Sequence, residues 1–198
     1  AFCYAADDNR QPARFPSVGA EEVAERARRC EPRPASFSLI GGEPSVHLHT
    51  ALRIIAVLPP NLPIVWNSNF YFSQRAGELL AGLVSVFIAD LHFGNDVCAH
   101  DIAEVPNYLT VVRRNLRWAS GAGTLVVRHL VLPGHVSCCT RPALEWLASE
   151  LPAAPVHILT SYLPPERSRI CALERELSES EAALALHMAR TLGLRAVE

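Results

Sequence analysis

The sequence predicts an α/β domain with a parallel βα sheet that lacks its first strand. Apolar runs alternate with helix-periodic stretches from Phe37 onward, roughly 25–30 residues per unit. The runs are almost wholly apolar, the pattern of strands covered on both faces. The polar residues of these units gather where the runs end.

Ala20 to Cys30 reads as a helix, opened by Glu21 and Glu22 and stopped before Pro32. Phe37-Ser38-Leu39-Ile40 is the first strand, halted by Gly41-Gly42. Ser45 to Leu58 carries Leu48, Leu52, Ile55 and Leu58 at helical spacing. Pro63 to Trp66 is the second strand, and Ser73 to Leu83 a helix with Ala76, Leu79, Leu80 and Leu83 on one side. Val84 to Ala89 is the third strand, ending at Asp90. The helix Tyr108 to Ser120 leads to a fourth strand, Thr124 to Leu132, stopped by Pro133-Gly134. Arg141 to Glu150 is a helix with Pro142 in its first turn, followed by a fifth strand, Val156 to Thr160. Ser178-Glu179-Ser180-Glu181 caps a last helix that runs to about Thr191 and stops at Gly193. Residues 1–198 are therefore expected to form one domain, with 166–198 as a helical appendage. No strand precedes the first helix, so the missing strand is expected upstream of Ala1.

At 198 residues and 49% apolar content the chain can bury a sizeable core, which excludes disorder as its overall state. Net charge is −2, and all 18 basic residues are arginine, so no basic excess marks a nucleic-acid binder. The uncharged stretch Ile54 to Gln74 is broken by Pro59, Pro60 and Pro63 and leaves no clean membrane span. Six cysteines at irregular spacing fall short of a disulfide scaffold, and no signal peptide is visible. A cytoplasmic protein with reduced thiols is expected.

In parallel βα folds ligands sit at the carboxyl ends of the strands. Those ends read Gly41-Gly42-Glu43-Pro44, Asn67-Ser68-Asn69, Asp90-Leu91-His92, Arg128-His129 and Tyr162. Each has an ordinary reading as a turn, cap or core pair. Polar groups at nearly every strand end point instead to a binding rim.

These blocks, in this order, resemble the radical S-adenosylmethionine superfamily, most nearly its pyruvate formate-lyase activating enzyme-like members. The resemblance rests on Phe2-Cys3, Gly41-Gly42-Glu43-Pro44, Trp66-Asn67-Ser68-Asn69, Asp90-Leu91-His92-Phe93-Gly94-Asn95-Asp96, Val127 to His135 and Cys138-Cys139-Thr140-Arg141-Pro142, and spans about Phe2 to Leu194. It implies an open, parallel (βα) partial TIM barrel of the radical S-adenosylmethionine type, here lacking its first strand. It also implies a [4Fe-4S] cluster that reductively cleaves S-adenosylmethionine to a 5′-deoxyadenosyl radical, which abstracts hydrogen from a substrate.

In the family's Cys-x3-Cys-x2-Cys motif, Cys3 matches the third ligand, placing the other two upstream of Ala1. This chain alone is then expected to be inactive, and no catalytic side chain is assigned. The resemblance sets Gly41 and Gly42 against the methionyl group, where glycine permits close approach, with Glu43 accepting a hydrogen bond. Asp90 and His92 match an Asp-x-Lys pair, with a titratable group replacing the usual cation. Asn67, Asn69, Arg128 and His129 would line the same cavity. Implied partners are S-adenosylmethionine, a reduced flavodoxin- or ferredoxin-type donor and a glycyl-radical protein, with neither nucleic acid nor membrane.

Two other readings remain. The rim could serve a non-catalytic α/β protein that binds a nucleotide or partner. A zinc hydrolase using Glu43, His47 and His49 is weaker, because the two histidines, two apart, fall on different sides of a helix. Cys138-Cys139 with His135 is the rival metal group; adjacent cysteines do not easily face one ion, so a structural or substrate-side role is favoured. Cys30, Cys98 and Cys171 are expected to be buried or unreactive.

Overall fold

The computed structural model describes residues 16–165 and 170–197. Helix α1 (Ala20–Arg29) starts with Glu21 and Glu22 and ends with Arg26, Arg28 and Arg29, charges that complement the helix dipole. Arg28 donates from Nη2 to the Val57 carbonyl at 3.0 Å, which ties α1 to the next helix. Strand β1 (Phe37–Leu39) leads through a 3₁₀ turn, Pro44–His47, into α2 (Leu48–Val57). Then come β2 (Ile64–Ser68), α3 (Gln74–Leu80), β3 (Val86–Asp90), α4 (Asp96–Ala103), α5 (Tyr108–Ala122) and β4 (Thr124–Leu130). A π-helical turn, Val136–Thr140, precedes α6 (Arg141–Glu150), β5 (Val156–Leu159), α7 (Glu179–Thr191) and β6 (Ala196–Val197).

The six strands form one sheet in chain order, every neighbouring pair parallel. The expected parallel architecture is present, and the sheet is an open arc. The two faces of that arc differ, however. In β4, Leu125, Val127 and His129 are buried, while Thr124, Val126, Arg128 and Leu130 alternate with them and retain exposure. The same two-residue alternation divides β3 and β5. The near-continuous apolar runs thus mark one face packed under helices and a second, half-open face, rather than two covered ones.

The covered face holds the core. Trp66, Phe87 and Val127 are fully buried there, and the Phe87 ring meets Trp118 of α5 edge-on at 5.2 Å. Phe70 and Phe72 extend the aromatic cluster. Asn115, also buried, answers the polar backbone that this packing strands: its Nδ2 donates to the carbonyls of Phe70 and Phe72 at 2.8 and 2.9 Å.

Helix α4 has no counterpart in the sequence reading, because Asp96, His100 and Asp101 interrupt any apolar stripe. Asn95 caps it, its Oδ1 accepting from the Cys98 amide at 2.7 Å. The C-terminal segment contributes β6 to the common sheet, beside β5. At its start, α7 carries a capping box between Ser178 and Glu181. Glu181 also accepts from the Gly134 amide at 2.6 Å and pairs with Arg175, which holds its carboxyl well below the usual range.

Candidate functional site

The carboxyl ends of β1 to β4 carry a hydrogen-bonded polar band. Gly41 and Gly42, with φ of 98° and 53°, turn the chain sharply after β1, in a region glycine enters without strain. That turn presents Glu43. Its Oε1 accepts from the Ser68 hydroxyl at 2.7 Å and the Ser45 amide at 3.0 Å, and its Oε2 from the Asn69 amide at 2.8 Å. The carboxylate therefore clamps the β1 loop to the end of β2.

One residue from Ser68, Asn67 belongs to the half-open face. Arg128 reaches it from β4, donating Nη2 to Asn67 Oδ1 at 2.7 Å and Nε to Asp90 Oδ1 at 2.7 Å. A single guanidinium thus joins three strands. Parallel register makes this possible: Asp90 lies opposite Arg128, so their side chains share a face. His92 lies beyond, its Nε2 3.8 Å from Asp90 Oδ2, and burial lowers its basicity. Its backbone amide donates to the buried Tyr108 hydroxyl at 3.0 Å, and burial raises the Tyr108 pKa.

Hydrogen bonds thus link Asn67, Asp90 and Arg128, with His92 beside Asp90, while Glu43, after the Gly41-Gly42 turn, is tied to the end of β2 through Ser68 and Asn69. Two residues expected with them turn their side chains elsewhere. His129 follows Arg128 by one position and so falls on the helix-covered face, fully buried. Its Nδ1 faces the Leu91 carbonyl, which can only accept, so Nδ1 holds the proton and Nε2 accepts from the Thr140 hydroxyl at 3.0 Å. Burial lowers its pKa to about 4. Asn69 is exposed, and its Oδ1 accepts from the Tyr71 amide in the turn after β2. Cys3 lies outside the described residues.

A second group lies where the loops after β3 and β4 meet. The ligand atoms of Cys98, His135, Cys138 and Cys139 all lie within 4.8 Å of one another. Cys98 Sγ is 3.7 Å from both Cys138 Sγ and His135 Nδ1, and Cys138 Sγ is 3.4 Å from His135 Nδ1. Adjacent cysteines are not expected to face one ion easily, but a π turn lies here, in which both Cys139 and Thr140 amides donate to the His135 carbonyl. Cys98 joins from α4 and is half-buried, while Cys30 and Cys171 are exposed. Gly94 admits this approach, since a Cβ there would stand 2.4 Å from the Cys139 carbonyl oxygen and 2.5 Å from Pro142 Cγ. Among the described residues, Glu43, His47 and His49 form no such group.

The chain is 30% identical over 175 residues to the uncharacterized protein MJ0674 of Methanocaldococcus jannaschii, an alignment covering 88% of this chain and 52% of that protein. It thus spans about half the length of the curated relative it matches. No protein-family model matches. Among solved structures, a domain of pyruvate-formate lyase-activating enzyme from Bacteroides vulgatus superposes with TM-score 0.65 at 15% identity, over 83% of this chain and 98% of that one. A radical SAM methyltransferase from Sphaerobacter thermophilus superposes with TM-score 0.67 at 16% identity, over 91% of this chain and 57% of that one. The fold is that of radical SAM proteins. Among the described residues, no helix of this radical SAM fold is long and apolar enough to cross a membrane.

Proposed function

We propose that this chain is the greater part of a radical S-adenosylmethionine enzyme domain. The observation that carries the reading is the band of Glu43, Asn67, Asp90 and Arg128 at the carboxyl ends of the strands in this fold. An open face bearing carboxylates, an amide and a guanidinium suits a zwitterionic, hydroxyl-rich ligand. S-adenosylmethionine has an ammonium and ribose hydroxyls for the acceptors, and a carboxylate for the donors.

The cluster would be held by Cys3 with two upstream cysteines, one directly before Ala1 and one four positions earlier. When bound, it would supply the electron that splits the sulfonium bond and so the radical that removes a hydrogen atom from substrate. The chain's own residues position the ligand. Gly41 and Gly42 admit its methionyl end. Glu43 is already oriented by Ser45, Ser68 and Asn69 to accept from the ammonium. Arg128, held by Asp90 and Asn67, offers its remaining donors to the carboxylate. Asp90 is placed for the ribose and methionyl groups, and the buried His92 beside it is held largely neutral. A flavodoxin- or ferredoxin-type donor, a glycyl-radical protein as hydrogen source and a cytoplasmic setting complete the proposal.

The test is the gene product read upstream through both cysteines and reconstituted anaerobically with iron and sulfide. It should gain about four irons per chain at the Cys3 site and release 5′-deoxyadenosine and methionine when reduced. Cys3→Ala should abolish both. An upstream sequence without those cysteines, or an extended chain that takes up no iron, overturns the reading and leaves a non-catalytic binding protein.

A further inference from the structure

Cys98, His135, Cys138 and Cys139 include none of the residues of the polar band and have no part in the function proposed above. We propose that these four side chains bind a single zinc ion, which locks the loop after β3 to the loop after β4.

The spacing argues for one ion. Tetrahedral zinc, with Zn–S about 2.3 Å and Zn–N about 2.0–2.1 Å, sets its ligand atoms about 3.8 Å apart for two sulfurs and about 3.5 Å for sulfur and nitrogen. Here Cys98 Sγ and Cys138 Sγ are 3.7 Å apart, and His135 Nδ1 lies 3.7 and 3.4 Å from them. The thiolates of a [4Fe-4S] cluster each sit on a different iron and stand farther apart. A disulfide needs sulfurs about 2.05 Å apart and would leave His135 and Cys139 without a role. Three soft thiolates and an imidazole are a donor set that zinc favours.

The surroundings suit the ion as well. Three thiolates leave the site with one net negative charge, and a local donor spreads it: Asn95 Nδ2 points at Cys98 Sγ from 3.2 Å. With all four positions filled by protein, the site is closed and therefore structural.

The experiment uses the 198-residue chain, purified with reductant and zinc and then desalted. Elemental analysis should return about one zinc per chain. Cys98→Ser and Cys138→Ser should each cut this to below about a tenth, while Cys30→Ser and Cys171→Ser leave it intact. Asn95→Asp, which keeps the helix cap but loses the donor to sulfur, should weaken zinc binding about tenfold. Should the serine variants not fold, the cobalt-substituted parent chain decides, since thiolate charge-transfer and tetrahedral d–d bands are expected. A pale octahedral spectrum, no zinc in the parent chain, or zinc retained by folded Cys98→Ser and Cys138→Ser overturns the site. So does a multi-iron cluster that depends on Cys98 and Cys138. None of these outcomes depends on Cys3 or on S-adenosylmethionine.

Discussion

Arg128 and His129 are successive residues of β4 and both cationic by type, yet they live in different media. Arg128 looks into the half-open face, where Asp90 and Asn67 hold it and water remains in reach. His129 looks into the helix layer, where no charge is solvated and the ring stays neutral between a carbonyl and a hydroxyl. The same strand thus builds a ligand-facing surface from one set of alternate residues and a load-carrying surface from the other. Substitutions on the covered face should register in stability, and those on the open face in binding.

The sharpest way to break that contrast is Trp66→Ala. Trp66 is fully buried on the covered face, and its loss should cost about 3–5 kcal/mol, read as a fall in the denaturant midpoint. A loss below about 1 kcal/mol would mean that the core lies elsewhere.

Acid should come next. His129 has an ordinary pKa of 6.5 and a folded value of about 4, so below pH 6.5 the unfolded chain binds a proton that the folded one refuses. Stability is therefore complete above pH 6.5 and declines as pH falls toward 4, by on the order of 3 kcal/mol for this group. His129→Gln should flatten the slope of unfolding free energy between those values. His92, lowered in the same direction, leaves a residual slope, and Glu181 adds its own only at lower pH.

A smaller and more discriminating test compares two adjacent valines. Val127→Ala, on the covered face, should cost about 2 kcal/mol, and Val126→Ala, on the open face, less than about 1 kcal/mol. Equal costs would erase the distinction between the faces. A similarly small change in stability, about 1 kcal/mol, is expected for Arg128→Ala, because water can reach the groups it leaves. Its effect should appear in titration of the extended, cluster-loaded chain with S-adenosylmethionine, weakened by roughly 10- to 150-fold.

The same pair of valines shows what the sequence can and cannot carry. Strands β1 to β5 were legible because apolar runs between glycine and proline stops have few other readings. The faces were not, because Val126 and Val127 are chemically alike and only the pleat separates them. That is why His129 was grouped with Arg128, although one residue of a strand turns a side chain to the other side. Glu43, Asn67, Asp90 and Arg128 could be found as strand ends, a position that topology makes meaningful. The thiol and imidazole group could be read only in part: His135, Cys138 and Cys139 stand close in the chain, but their convergence with Cys98 does not show there. It depends on a π turn, which leaves no periodic trace, and on α4, whose one clear signal was the cap at Asn95.

Gly94 carries a consequence for how this protein tolerates change. With the Cys139 carbonyl and the Pro142 ring already inside the space of a methyl group, any side chain at 94 must push the two loops apart. A saturation library at that position should return glycine alone, whereas Val97, 69% exposed three residues away, should accept almost every replacement. The loops after β3 and β4, separate in the chain, therefore accept or refuse substitutions jointly, and a graft that moves one into a new scaffold has to bring the other with it.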